Sequence, residues 1–345
     1  KMKNKKQWIK MAFNIGFIIA VFLGLLFYVI KVDGIDNIAM VLQNVEITWM
    51  ILGLVCMLIY WLMDTLNLYI ISKKMYPNQS FRDSFRVTMI GQLFNCLTPF
   101  SSGGQPMQAV SLVREGKSVS DSASILLIRF LIYQITLVIY TFMIIVFQFS
   151  YFKGLVSNFM NLALIGFLVN LAVIIFLILV GVNQEFVFKL ASFGIRLLGK
   201  IKLLKNVDQK LEHLKESLGK FHDNFKLLKK EKKMTLQLVI LSIIEHTVFF
   251  SVTYMVYRSF GLGGVPFIKI LSAQAFLSMV MAFVPIPGAG IAAEGGFLIL
   301  FKKFFTPETI NMGILFWRMY TFYLPIIAGA MIMVMIKKKE KSDKV

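Results

Sequence analysis

Histidine and cysteine are scarce in this chain, at three and two of 345 residues. His213, His222 and His246 show no His-Glu-x-x-His or other ligand spacing, so a metal hydrolase lacks its first requirement. No metal and no cofactor is expected. Cys56 and Cys96 both lie in apolar stretches and no Cys-x-x-Cys pair occurs, which argues against a disulfide framework and against zinc. Charged residues make up only 16% of the chain, and no spacing sets a base beside a nucleophile. Glu294, in "AAEGG", is the one carboxylate placed to act as a general base in a lipid transferase, and nothing else in the letters supports that role. No catalytic residue is assigned.

What is present is apolar surface, with hydrophobic side chains at 57% of positions. Residues 11–30 carry no charge, and at about 1.5 Å per residue they span the roughly 30 Å hydrocarbon layer. The basic stretch before them resembles the start of a signal peptide. The apolar run is too long for one, and no small-x-small cleavage site closes it, so a retained first span is expected. Further runs at about 48–71, 122–149, 160–182, 235–257 and 309–336 are each long enough to cross a bilayer. The expected fold is an all-α polytopic membrane protein with six full spans.

Two more apolar stretches, 84–112 and 267–304, are interrupted by proline and glycine. The net charge of +19 decides their direction. Lysines and arginines cluster at the N-terminus, at 72–86, at Arg114 and Lys117, through 185–233 and in the tail, which are the loops that alternate spans place on one side. That distribution fits cytoplasmic termini and contact with anionic lipid headgroups rather than nucleic acid. Walking the spans through the membrane brings the first interrupted stretch in from the cytoplasmic face and the second in from the outer face. Both are expected to be re-entrant broken-helix hairpins. Lys302 and Lys303 then lie outside, against the general bias.

An inverted repeat is expected from this layout. An offset of 186 residues sets Pro99 over Pro285, Gly104 over Gly290 and Gln108 over Glu294, and three inserted residues later Arg129 meets Arg318. Asp64 and Glu245 lie in the spans upstream of the two hairpins. The chain thus divides into a first span with outer loop (1–47), a first half (48–149), a linking span (150–184), a cytoplasmic linker (185–234) and a second half (235–345). In the linker, Leu204, Val207, Leu211, Leu214, Leu218, Phe221, Phe225 and Leu228 recur at spacings of three and four. This is an amphipathic helix, either laid along the protein or headgroups or forming the seam of a homodimer.

Irregular backbone survives at membrane depth only where protein or water surrounds it, so each broken hairpin is expected to line a polar cavity. Half-helix termini there would offer N–H groups to an anion, with Gly103, Gly104, Gly288 and Gly290 permitting close approach. Pro99, Pro285 and Pro287 make the breaks, and Gln105 and Gln108 lie beside the first. Asp64, Arg129, Glu245, Glu294 and Arg318 are ionisable groups inside apolar runs, which need partners. The arginines either take a lipid phosphate, with the acids as counter-charges or as receivers of a cationic headgroup, or pair internally with the acids. His246, beside Glu245, is either a proton relay or a structural residue.

With "TPFSSGGQPMQ" at 98–108 and "VPIPGAGIAAEGGF" at 284–297, the chain resembles the lysylphosphatidylglycerol synthase transmembrane-region family. These are the flippase-like membrane halves of multiple peptide resistance factors and their stand-alone relatives. The resemblance implies movement of lipid between leaflets of a bacterial plasma membrane. In members with a fused aminoacyltransferase domain, lysine is attached to phosphatidylglycerol and the product is flipped, which gives resistance to cationic peptide antibiotics. Here only residues 337–345 follow the last expected span, so no synthase domain and no lysyl-lipid synthesis by this chain alone are expected. Many relatives carry an arginine soon after the first glycine motif, where this chain has Gln105 and Gln108. The cargo is therefore an aminoacylated or anionic phospholipid, or a glycolipid or polyprenyl-phosphate sugar. The alternative is the membrane subunit of a phosphatidylglycerol lysyltransferase whose synthase is a separate chain.

Overall fold

The computed structural model describes residue 31 and residues 34–148, 159–200, 207–281 and 290–342. Among them every regular element is a helix. In chain order these are α1 (Ile35–Gln43), α2 (Ile47–Met75), α3 (Phe81–Leu97), α4 (Gly104–Arg114), α5 (Val119–Phe147), α6 (Phe159–Val182) and α7 (Gln184–Lys200). There follow α8 (Val207–Phe225), α9 (Leu227–Lys230), α10 (Lys232–Ser259), α11 (Phe267–Met281), α12 (Gly290–Phe301), α13 (Ile310–Arg318) and α14 (Leu324–Ser342). Among the described residues, five stretches are long and apolar enough to cross a membrane: Ile47–Met75, Val119–Ile144, Ile165–Val182, Lys232–Ser259 and Ile310–Met335. They coincide with five of the six expected spans. The first, at 11–30, lies outside the described residues.

Local chemistry sets the boundaries. Ser80 and Ser118 cap α3 and α5, each hydroxyl accepting from the N–H of an aspartate three residues on, at 3.1 Å for Asp83 and 3.0 Å for Asp121. Both aspartates then lie in a first turn, where the helix dipole favours negative charge. At its far end α3 stops because Pro99 forces Thr98 into extended backbone, with φ −122° and ψ 148°. A 3-10 turn over Pro99–Ser101 follows, and α4 folds back along α3. Gly104 packs under Asn95 and Gly91 under Gln108, so the arms run antiparallel at a separation that leaves no room for a Cβ. In the second interrupted stretch, α11 and α12 also pack on each other, with Leu277 against Gly296. The intervening 282–289, with Pro285, Pro287 and Gly288, lies outside the described residues.

The last expected span is not a uniform α-helix: residues Met319–Tyr323 form a π turn between α13 and α14. Pro325 explains it. Its nitrogen carries no hydrogen and its ring crowds the carbonyl four residues back, so the chain widens by one residue before resuming.

The core is built on α2 packed antiparallel to α10. The Glu46 N–H donates to Ser259 O at 2.8 Å where the start of one helix meets the end of the other. Met57 and Trp61 of α2 share a buried cluster with Val252 and Val256 of α10. Helix α14 crosses α3 closely enough that Gly329 faces Leu93 and the carbonyl of Met89, the kind of small-residue contact that lets membrane helices approach. The order of long helix, short helical pair and long helix thus occurs twice, as α2, α3–α4 and α5, then as α10, α11–α12 and α13–α14.

The linker differs from the single amphipathic helix expected. It is divided into α7, α8 and α9, with residues 201–206, including Leu204, outside the described part. Its apolar stripe is used within the chain: Leu218 and Phe225 are buried, and the Phe225 ring fills the space over Gly181. Polar contacts fix it further. Asn224 Nδ2 donates to Asp121 Oδ1 at 2.6 Å, Ser120 Oγ donates to Ser217 O at 2.8 Å, and Tyr76 Oη donates to Asp121 Oδ2. Asp121 therefore ties the end of α2, the start of α5 and α8 together. In the expected outer loop, α1 is an additional helix whose Val41 joins the core.

Candidate functional site

A cavity of about 560 Å³ lies among α2, α3–α4, α5, α10, α11 and α13. Four of its lining residues are ionisable groups of opposite sign: Asp64, Glu245, Arg129 and Arg318. Uncharged polar groups fill much of the rest, including Tyr60, Gln92, Asn95, Gln108, Gln134 and Gln274, between apolar faces such as Phe130, Phe249 and Leu277. Its mouth is at the tip of the first helical pair, where Ser101, Ser102 and Gln105 are exposed.

Asp64 is held on both of its carboxylate oxygens. Its Oδ1 lies 2.7 Å from Arg129 Nη2, and its Oδ2 accepts from Gln92 Nε2 at 2.9 Å. The same Gln92 amide reaches Tyr60 Oη at 3.1 Å, and Arg129 Nη1 reaches Gln108 Oε1 at 3.4 Å. A carboxylate this deep would cost several kcal/mol alone, and the guanidinium and amide offset that loss of hydration. Glu245 is placed otherwise. It is 2% exposed, its Oε2 accepts from Asn67 Nδ2 at 2.9 Å, and among the described residues no cationic group lies within ion-pair distance of it. Arg318, 5% exposed, donates from Nε to Glu294 Oε1 at 3.2 Å and lies over the rings of Trp317 and Phe322. Glu294 meets the cavity through this contact rather than as a lining residue.

The sequence-derived candidates separate into groups. Asp64, Gln105, Gln108, Arg129, Glu245 and Arg318 line the cavity. Pro99, Gly103 and Gly104 do not; they shape the turn beside it. Pro285, Pro287 and Gly288 lie outside the described residues, and Gly290 opens α12. Internal pairing of arginines with acids is what the structure has, as Arg129 with Asp64 and Arg318 with Glu294.

Two of the leading N–H groups of the first half-helix, expected to be bare toward an anion, have partners within the chain. The Gly103 N–H donates to Thr98 Oγ1 at 2.7 Å, the Gly104 N–H donates to Asn95 Oδ1 at 3.1 Å, and Pro106 has none. Gly104 serves the close approach of two helices, and Gly103 packs against Thr98 in the turn. His246 is likewise occupied. Its Nε2 lies 3.2 Å from Tyr133 O and 3.1 Å from Thr136 Oγ1, in a cage with Tyr133 and Phe250, and it is not a lining residue.

Several lining groups escaped notice in the sequence because they are uncharged. Tyr60 with Asp64, Gln92 with Asn95, and Arg129 with Tyr133 recur at three or four residues, one helical face apart. Asn67 and Ser242, which hydrogen-bond each other at 3.3 Å, follow the same spacing from Asp64 and Glu245. A polar stripe inside an apolar helix was the available signal. Ser101 had none: it is the one non-glycine residue with positive φ among those described, at 51°, and it lines the mouth.

Comparison with known proteins agrees with this architecture. The family model described as the lysylphosphatidylglycerol synthase TM region matches residues 14–329. A protein described as a UPF0104 membrane protein, from Archaeoglobus fulgidus, is 22% identical over 300 residues, covering 83% of this chain and 88% of that protein. With five apolar helices of membrane-crossing length among the described residues, the chain is a multi-pass α-helical membrane protein belonging to the lysylphosphatidylglycerol synthase TM region family.

Proposed function

We propose that the chain moves lipid between the leaflets of a plasma membrane, holding the headgroup in the charged cavity while the acyl chains stay in the bilayer. The observation that carries this reading is the cavity itself, about 560 Å³ of space lined by two carboxylates and two guanidinium groups among helices of membrane-crossing length. Charged groups are tolerated at membrane depth when they face a water-filled path and pair with one another, and such groups commonly mark where a polar cargo passes. Arg129 and Arg318 are the groups for a lipid phosphate, since a guanidinium takes two of its oxygens at once. Asp64 and Glu294 hold those arginines in place when the cargo is absent, and with Glu245 they suit an ammonium-bearing headgroup when it is present.

In this reading the paired helices α3–α4 and α11–α12 are re-entrant hairpins that enter from opposite faces, and with a span at 11–30 the protein has six full crossings and cytoplasmic termini. The two halves are an inverted repeat. Support comes from the element boundaries: the offset of 186 residues carries Gly104–Arg114 onto Gly290–Phe301 to within a residue. It also carries Gln108 onto Glu294, and each of these meets the arginine of its own half, Arg129 or Arg318.

The test is reconstitution. Mass spectrometry of lipid retained by the purified protein identifies the cargo, and fluorescent analogues of it in proteoliposomes report exchange between leaflets. Exchange at least tenfold faster than in protein-free vesicles, lost in Arg318→Gln, is the expected result. No retained lipid and no exchange would remove the reading. A second reading is favoured by the description of the matching family, which names a synthase's membrane region: a membrane subunit working with a separate aminoacyltransferase. It predicts co-purification with such an enzyme and loss of aminoacyl lipid when this chain is deleted.

A further inference from the structure

The distribution of charge in the cavity is uneven. Arg318 has Glu294, whereas Arg129 lies 2.7 Å from Asp64 and also borders a small void with Asn67, the donor to Glu245, and Ser242. Glu245 is 2% exposed, lines the cavity and accepts one hydrogen bond, from a neutral amide. The polar and charged groups that share the cavity with it can be named helix by helix. From α2 come Asp64 and Tyr60, and from α5 come Arg129 and Tyr133. Helix α11 presents Gln274 and Ser278, α13 presents Arg318 already paired with Glu294, and His246 of its own helix turns into the α5 backbone. Two carboxylates and one guanidinium thus share this part of the cavity.

We infer that Asp64, Arg129 and Glu245 form a proton-linked anion site, in which one proton binds to the carboxylate pair when the phosphate of a lipid takes Arg129. The inference rests on the transport reading and adds to it the coupled ion. While Arg129 faces Asp64, the pair is partly neutralised. A phosphate that draws the guanidinium toward itself removes that compensation. Two carboxylates buried in one cavity, with Asn67 one turn from Asp64 donating to Glu245, then share a proton, because buried like charges disfavour double ionisation. The proton enters from water in the cavity, is carried on a carboxyl oxygen, and returns to water when the phosphate leaves and Arg129 swings back to Asp64. Phosphate and proton therefore favour each other's binding, and by reciprocity acid pH tightens the lipid. A pH difference across the membrane then drives lipid in the direction in which protons flow.

The measurement is calorimetric titration of the full chain in detergent with dioctanoyl phosphatidylglycerol, in two buffers of different ionisation enthalpy. Uptake of about one proton per bound lipid is expected, with an apparent affinity that rises by up to about tenfold for each pH unit lowered. In the double variant Asp64→Asn, Glu245→Gln the lipid that still binds takes up no proton and its affinity no longer depends on pH. His246→Asn keeps both. The inference is overturned if the wild-type chain binds the lipid without proton uptake, a result that needs no variant to fold, or if uptake survives in the double variant. Exchange of lipid in vesicles without any proton link leaves transport standing and removes this coupling, whereas absence of both binding and exchange removes the two together.

Discussion

Arg129 Nη2 lies 2.7 Å from Asp64 Oδ1, at a depth where the Arg129 side chain keeps 19% of its exposure and that of Asp64 only 3%. That contact joins α2 to α5 across the cavity.

Removing one partner of such a pair is more damaging than removing both. Arg129→Gln leaves Asp64 and Glu245 together without a cation and is expected to destabilise the protein by about 3–5 kcal/mol. Adding Asp64→Asn should recover most of that loss. Thermal unfolding in detergent, followed by the fluorescence of the native tryptophans, reads both values, and equal stability of the single and double variants would count against a buried ion pair.

The close packing of α3 on α4 gives a prediction with an internal control. A Cβ on Gly104 would meet Asn95 Oδ1 and come within 2.7 Å of the Gly91 carbonyl, whereas nothing lies within 4 Å of one on Gly295. Gly104→Ala should therefore cost about 1–3 kcal/mol and Gly295→Ala almost nothing. Comparable midpoints for the two variants would contradict the antiparallel pairing of the arms.

Docking of the linker can be tested by proteolysis. Phe225 is 8% exposed and fills the space over Gly181. Phe225→Ala should weaken the packing by about 3–5 kcal/mol and release α8 from α5. Cleavage by trypsin between residues 207 and 230 should accelerate at least tenfold while the membrane helices remain intact. An unchanged cleavage rate would mean that α8 is held elsewhere.

Much of this fold was legible in the letters because membrane crossing is a demand on length and polarity alone. The runs at 48–71 and 235–257 became α2 and α10 with little change, and Pro99 ended α3 where a proline should. The ionisable residues of the cavity were found because charge in an apolar run is conspicuous. Gln92, Asn95 and Gln134 were not, since an amide stands out less, and which face of a helix it occupies depends on neighbours far away in sequence. The fate of the α4 N–H groups was equally hidden. Whether they meet a ligand or the side chains of Thr98 and Asn95 is decided by how tightly two arms close, and Gly91 and Gly104 set that distance only once the arms are folded. The π turn was within reach, because Pro325 in the middle of an apolar run requires some local rearrangement.

The central claim is that the two helical pairs enter the membrane from opposite faces and meet around the charged cavity. In a background with Cys56 and Cys96 replaced by serine, single cysteines at Asn78 and Arg114 flank the first pair, and at Gly264 and Lys302 the second. Labelling of oriented cells or vesicles with a membrane-impermeant maleimide is predicted to reach Asn78→Cys and Arg114→Cys only from the cytoplasmic side, and Gly264→Cys and Lys302→Cys only from the outer side. Labelling of the two positions that flank either pair from opposite sides would make that pair a full crossing and contradict the account.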